Sequence, residues 1–216
     1  MSCHAPMTIF SNPNSVPDTC IHRIASILDR FDLGALFPKA QPVEVELGTG
    51  DGSFLSQYAA MHPERNFIGV ERLLGRLRKV DRKARRSGLR NLRLIRLEAA
   101  YFVEYLLPLA SIDSLHIYFP DPWPKRKHWK NRLINARFAE LAATILKPGG
   151  LVYLRTDDAA YFEQMTEVFS TARQFCLAKT PEEVVAVITD FERNFNARGV
   201  TTLRAAYQLR NNPSAP

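Results

Sequence analysis

The sequence predicts an α/β fold built on a mostly parallel sheet with helices on both faces. Three observations carry that expectation. Short apolar segments of strand length, VEVEL, NFIGVE, LRLIRL, SLHIYF and LVYLR, recur along the chain, and stretches with helical spacing of apolar residues lie between them. Alternation of this kind gives parallel strands, because each crossover has to cover a sheet face. A length of 216 residues suits one α/β core and is short for two. A glycine-rich turn, ELGTGDG, follows the first strand directly, and ligands of such sheets sit beyond the carboxyl ends of the strands.

In chain order, residues 1–17 are rich in Pro, Ser and Asn and predict a flexible tail ahead of a single domain over 18–210. The segment DTCIHRIASILDRF spaces Ile21, Ile24, Ile27, Leu28 and Phe31 at helical intervals, which predicts a leading helix. VEVEL is then the first strand, with a helix from about Ser53, followed by NFIGVE and an arginine-rich helix, GRLRKVDRKARRSG. LRLIRL, a helical AAYFVEYLL, SLHIYF, the helix RLINARFAELAATIL ending at KPGG, and LVYLRTDD continue the alternation. A helix through Phe169, a weak strand around Phe175, a short helix near Glu192 and the strand TTLRAAYQLR complete the domain, and 211–216 form a tail.

Lys and Arg number 29 against 22 acids, a formal charge of +7, which suits a polyanionic partner and equally describes a merely basic protein. Three cysteines, Cys3, Cys20 and Cys176, are odd in number and lack CxxC spacing, so neither a disulfide framework nor a zinc site is predicted. A reduced, cytoplasmic setting fits that usage. No run approaches the ~18 apolar residues of a membrane span, and the start has no export signal.

The chemistry concentrates at strand ends. Glu46-Leu47-Gly48-Thr49-Gly50-Asp51-Gly52-Ser53 has glycines for a tight turn, but Ser53 stands where a dinucleotide fingerprint needs its third glycine. Glu46 and Asp51 oppose a pyrophosphate and suit a cation, and E-x-G-x-G-x-G resembles the binding loop of class I methyltransferases, whose S-adenosylmethionine carries a sulfonium and an ammonium. Glu71 ends the second strand, where an acid accepts both hydroxyls of a ribose. Glu98 ends the third, and Asp121 follows the fourth between Pro120 and Pro122, which restrict the backbone and hold it extended.

Together, Glu46 to Gly52, Gly69-Val70-Glu71, the segment YFPDPWPK from Tyr118 to Lys125, Lys147-Pro148-Gly149-Gly150, Thr156-Asp157 and Thr189-Asp190-Phe191-Glu192 resemble the tRNA (guanine-N7-)-methyltransferases. The likeness runs from about residue 40 to 208, and FPDPWPK is its most specific part. It implies a Rossmann-like class I methyltransferase fold with a mostly parallel seven-stranded sheet and an antiparallel last strand. It also implies cofactor contacts by Glu46, Gly48, Gly50, Gly52, Glu71, Glu98 and Asp121, with Asp121 also at the reactive centre. Substrate contacts are implied for Lys125, Asp157, Thr189, Asp190, Phe191 and Glu192. Glu98 departs from the family, which has an aspartate there. No metal is implied, and the protein is expected as a monomer or homodimer acting on the variable loop of tRNA.

Lys125, Arg126, Lys127, Lys130 and Arg132 follow Asp121, and the arginine-rich helix carries Arg76, Arg78, Lys79, Arg82, Lys83, Arg85 and Arg86. Both sets suit an RNA backbone, and a solvated charged helix face is the competing reading for the second. Trp123 fits packing beneath its loop, while Trp129 is open to stacking or packing. Methylation of another nucleobase and a non-catalytic RNA-binding module on the same fold are the competing functions. An adenine-N6 motif would need one more residue before its aromatic, and the complete glycine loop opposes the binding module.

Overall fold

The computed structural model describes residues 18–211; the predicted N-terminal tail, and all of the C-terminal one except Asn211, lie outside them. Eight strands form one sheet: β1 Ile21–His22, β2 Val43–Leu47, β3 Asn66–Val70, β4 Leu92–Ile95, β5 Ile112–Tyr118, β6 Leu146–Thr156, β7 Phe175–Ala178 and β8 Leu203–Leu209. Their order is β1-β4-β3-β2-β5-β6-β8-β7, parallel except that β8 runs antiparallel to both its neighbours. The expected seven strands and antiparallel last strand are all present, and β1 adds an eighth at the edge.

The helices are α1 Leu33–Leu36, α2 Leu55–Met61, α3 Leu74–Arg86, α4 Ala99–Tyr101, α5 Ala136–Ile145, α6 Ala159–Thr171, α7 Glu182–Ala186 and α8 Asp190–Asn196. They divide between two faces because the strands are apolar on both sides. Phe102, Phe138, Tyr161 and Phe169 pack with Val45, Ile68 and Ile117 on one face. Phe54, Tyr58, Leu77, Val80 and Val184 pack with Phe67 and Leu94 on the other. At ~25 cal/mol per Å² of apolar surface removed from water, these two layers are the main force holding the sheet between its helices.

The leading helix is not formed. Instead, β1 pairs with β4 (Ile21 opposite Leu94), Leu94 N–H donates to the Cys20 carbonyl at 2.8 Å, and Cys20 N–H donates to Asp81 Oδ1 of α3 at 2.7 Å. Ser26 Oγ accepts from Leu28 N–H, and Ile27 and Leu28 are exposed. A free sheet edge and a buried acid thus outcompete helical periodicity, aided by a side chain that bonds local backbone. AAYFVEYLL changes pitch: α4 continues as a π-helical turn over Phe102–Leu106, and Leu107 N–H donates to the Phe102 carbonyl at 3.0 Å. KPGG does not lie between helix and strand but inside β6, where the register with β5 jumps between Leu146 and Leu151. Helix α7 is additional to the elements expected.

Candidate active site

Glu46 is the penultimate residue of β2, so the loop from Gly48 to Ser53 opens at the carboxyl edge of the sheet. Gly48 and Thr49 donate their N–H groups to the Val70 carbonyl at 2.9 and 3.1 Å, which folds the loop back over β3. Gly52 has φ +72°, and a Cβ there would stand 2.6 Å from Val80 Cγ1 of α3; only glycine permits this approach. Glu71, just past β3, accepts from Gly50 N–H through one carboxylate oxygen (3.1 Å) and from Leu73 N–H through the other (2.7 Å). Its carboxylate is therefore locked in orientation, with lone pairs left for a ligand.

Glu46 is buried, and its Oε2 has no partner among the described residues. Burial pushes its carboxyl up to about 8, with Asp51 and Glu71 adding to the rise and Arg155 opposing it. A buried acid left without a partner is costly unless something satisfies it, so this end of the loop fits a cationic ligand. Burial also works against the Asp51 carboxylate, but contacts with Asp190, Lys83 and the Ser53 N–H hold it below its ordinary value. Lys83 Nζ lies 3.5 Å from Asp51 Oδ2 and donates to the Asp51 carbonyl at 3.0 Å. That lysine, expected with the RNA-facing cations, is thereby tied to the glycine loop. Glu98 is exposed and caps α4, accepting from Ala100 and Tyr101 N–H at 3.0 and 2.8 Å.

Asp121 is exposed in the loop after β5. More than its prolines restrains it: Phe119 at φ +50° and Trp123 at φ +45° flank it in left-handed conformations that bulky residues rarely adopt. Phe119 N–H donates to the Arg155 carbonyl at 2.8 Å, and Arg132 Nε donates to the Pro122 carbonyl at 2.7 Å. Arg132, expected among the RNA-facing cations, is instead 3% exposed and lies between the rings of Trp129 (4.5 Å) and Tyr161 (4.6 Å), with Gln164 accepting from it. A planar cation with several donors suits that buried, stacked role. Lys125, Arg126, Lys127 and Lys130 remain exposed on the 3₁₀ helix Arg126–Asn131 and its cap. Trp123 and Trp129 are both partly exposed, and Asp157 is half-buried just past β6, the strand beside β5.

Helix α8 joins the two loops. Asp190 N–H donates to Ser53 Oγ at 3.2 Å, a Cβ on Gly50 would lie 3.9 Å from Phe191, and Phe119 stacks on Phe191 and on Phe195, both at 5.9 Å between ring centres. Of the six residues expected to meet substrate, the four at the start of α8 divide into two pairs. Thr189 and Glu192 form a reciprocal capping box and are buried, and Glu192 pairs with Arg155 (2.9 Å) and Arg204 (2.7 Å). Asp190 and Phe191 are left facing the loops. Arg155 is absent from the residues that sequence reasoning singles out, although it has a visible signal there: a cation inside the apolar run LVYLRT.

A family model described as "Putative methyltransferase" matches residues 40–205. A tRNA (guanine-N(7)-)-methyltransferase of Chromohalobacter salexigens is 40% identical over 71% of this chain and 62% of its own length. One of Halorhodospira halophila is 37% identical over 83% of this chain and 80% of its own. Among solved structures, the 16S rRNA methyltransferase KamB aligns with a TM-score of 0.58 at 20% identity, covering 79% of this chain and 88% of that one; this likeness bears on the fold alone.

Proposed function

The chain belongs to the tRNA (guanine-N(7)-)-methyltransferase family, and we propose that it methylates N7 of a guanine in the variable loop of tRNA with S-adenosylmethionine as donor. The observation that carries the choice of donor is the buried, unpartnered carboxylate oxygen of Glu46 at a glycine loop ringed by acids. Such a seat favours a cation and disfavours a pyrophosphate. When bound, S-adenosylmethionine supplies a methyl group on a positively charged sulfur. Glu46 would hold its cationic end, Gly48, Gly50 and Gly52 would allow close backbone approach, and Glu71, already oriented by two N–H groups, would accept the ribose hydroxyls. Glu98 would meet the adenine amino group with lone pairs not used in capping α4.

Guanine N7 carries a lone pair and no proton, so the chain needs no general base. Its tasks are to align the acceptor and to stabilise the positive charge that develops on the purine. Asp121 is suited to both: its carboxylate accepts from the amide or amino edge of the base, and the strained backbone around it fixes its position. Asp157, Asp190 and Phe191 complete the acceptor side, with Thr189 and Glu192 contributing by holding α8 in place. Lys125, Arg126, Lys127 and Lys130 grip phosphates, as do the exposed Arg76, Arg78, Lys79, Arg82, Arg85 and Arg86 of α3.

No helix among the described residues is long and apolar enough to cross a membrane, and they contain no cluster of three metal-ligating side chains. With Cys20 and Cys176 present as free thiols, a cytoplasmic enzyme is the reading we favour.

The test is transfer of labelled methyl to unmodified tRNA, followed by borohydride and aniline cleavage at N7-methylguanine. A cut in the variable loop is expected. Incorporation without that cut would overturn the guanine-N7 assignment. Asp121→Ala should lower kcat/KM by ~10²-fold or more, the scale of losing one charge-stabilising group, with unchanged thermal unfolding because the side chain is exposed.

A further inference from the structure

One buried side chain ties the acceptor side together and lies on the same sheet face as Glu46. Arg155, on β6, is 1% exposed. Its Nη1 donates to the Val187 carbonyl and to Glu192 Oε2, both at 2.9 Å, and its Nη2 donates to the Val184 carbonyl. These bonds tie α7, α8 and the link between them to the sheet. The guanidinium lies over the Tyr118 ring at 4.3 Å and the Phe54 ring at 5.3 Å, and its own carbonyl accepts from Phe119 N–H, two residues before Asp121.

Arg155 also shares a sheet face with Glu46 of the donor side, with β5 between their strands. Alternate residues of a strand share a face, so Glu44 and Glu46 on β2, His116 and Tyr118 on β5, and Tyr153 and Arg155 on β6 form one buried row. Within it, Arg155 Nε is a buried donor and Glu46 Oε2 a buried acceptor, each without a partner among the described residues. Each is costly alone. The other charged or titratable groups acting on Glu46 are Asp51 of the glycine loop, Glu71 beyond β3 and Tyr118 of β5. Arg155 is the one cation among them.

We propose that Arg155 is a positioning residue for methyl transfer: it fixes α8 across the glycine loop for the acceptor and sets a cation on the sheet face that carries Glu46 for the donor. Its acceptor half rests on the function proposed above; its donor half requires only that S-adenosylmethionine binds at Glu46. Two variants separate the halves. Arg155→Lys keeps a cation but cannot make the planar set of bonds to Val184, Val187 and Glu192. Arg155→Met keeps much of the volume and removes the charge, and Arg155→Gln replaces it if the methionine variant does not fold.

Calorimetric titration with S-adenosylmethionine across pH 6 to 10, alongside steady-state transfer to tRNA, reads both. In the wild type, affinity should rise with pH as Glu46 ionises. In Arg155→Met the midpoint of that rise should move to higher pH, with affinity about tenfold weaker near neutrality, the equivalent of one pH unit. In Arg155→Lys the midpoint should stay at the wild-type position while KM for tRNA rises about tenfold. Glu46→Gln should abolish the rise, which identifies the titrating group. A neutral variant with the wild-type midpoint would overturn the donor half, and Arg155→Lys with wild-type KM for tRNA would overturn the acceptor half. Wild-type protein that binds the donor but transfers nothing to tRNA would overturn the function and the acceptor half together, and the midpoints would then decide the donor half alone.

Discussion

Glu46 illustrates how a single side chain can trade stability for binding. Its carboxyl titrates near 8 in the fold and near its ordinary value in the unfolded chain. Its contribution is therefore fully present below the unfolded pKa and is lost as pH rises toward 8. Glu46→Gln should raise the melting temperature of the donor-free protein, by a margin that grows from pH 5 to pH 8.5, while weakening the donor's binding; scanning calorimetry across that range would measure it. Asp121 shows the other kind of cost. Left-handed Phe119 and Trp123 store on the order of 1–3 kcal/mol each, and the stack of Phe119 on Phe191 and Phe195 helps hold that conformation. Residue identities such as Glu46, Glu71 and Asp121 are legible in the sequence because acids at the ends of apolar strands stand out. The strain is not, because φ depends on contacts made by residues about 70 positions away.

Helix α8 is short, and its placement depends on its ends more than on its length. Thr189 accepts from Glu192 N–H at 3.0 Å, and Glu192 accepts from Thr189 N–H at 2.8 Å. Thr189→Ala should cost ~1 kcal/mol in urea unfolding and raise KM for tRNA more than it lowers kcat, since it loosens the acceptor side without touching Asp121. A larger effect on kcat would place Thr189 in the chemistry itself. The motif TDFE stands out in the sequence, yet its division into two buried anchors and two residues facing the loops does not. A capping box and an ion pair with Arg155 require knowing that β6 passes beneath. The same limit explains residues 18–31: the helical spacing is real, but the competing partners, Leu94 and Asp81, lie more than 60 residues away along the chain.

Across the whole molecule, net charge overstates what is available to RNA, and its distribution corrects the count. Removing Lys125, Lys127 and Lys130 together should weaken tRNA binding and reduce the slope of log affinity against log salt by roughly 0.7 to 0.9 for each phosphate no longer neutralised. Arg132→Ala should instead lower thermal stability, through the buried stack and the Pro122 bond, and leave most of that slope intact. Filter binding at several salt concentrations, with a melt on each variant, separates these outcomes. The alternation of strands and helices is readable from periodicity, since both faces of a parallel sheet must be covered. The two-residue β1 escapes because no pattern resides in so short a segment. Its presence has a practical bearing on how the protein is handled. The backbone of β4 is covered on one side by β3 and on the other by Ile21 and His22. A truncation starting at Arg23 would leave that rim uncovered, a template for strand addition by a neighbouring molecule. Such a shortened protein should form larger species in gel filtration than a chain beginning at or before Asp18.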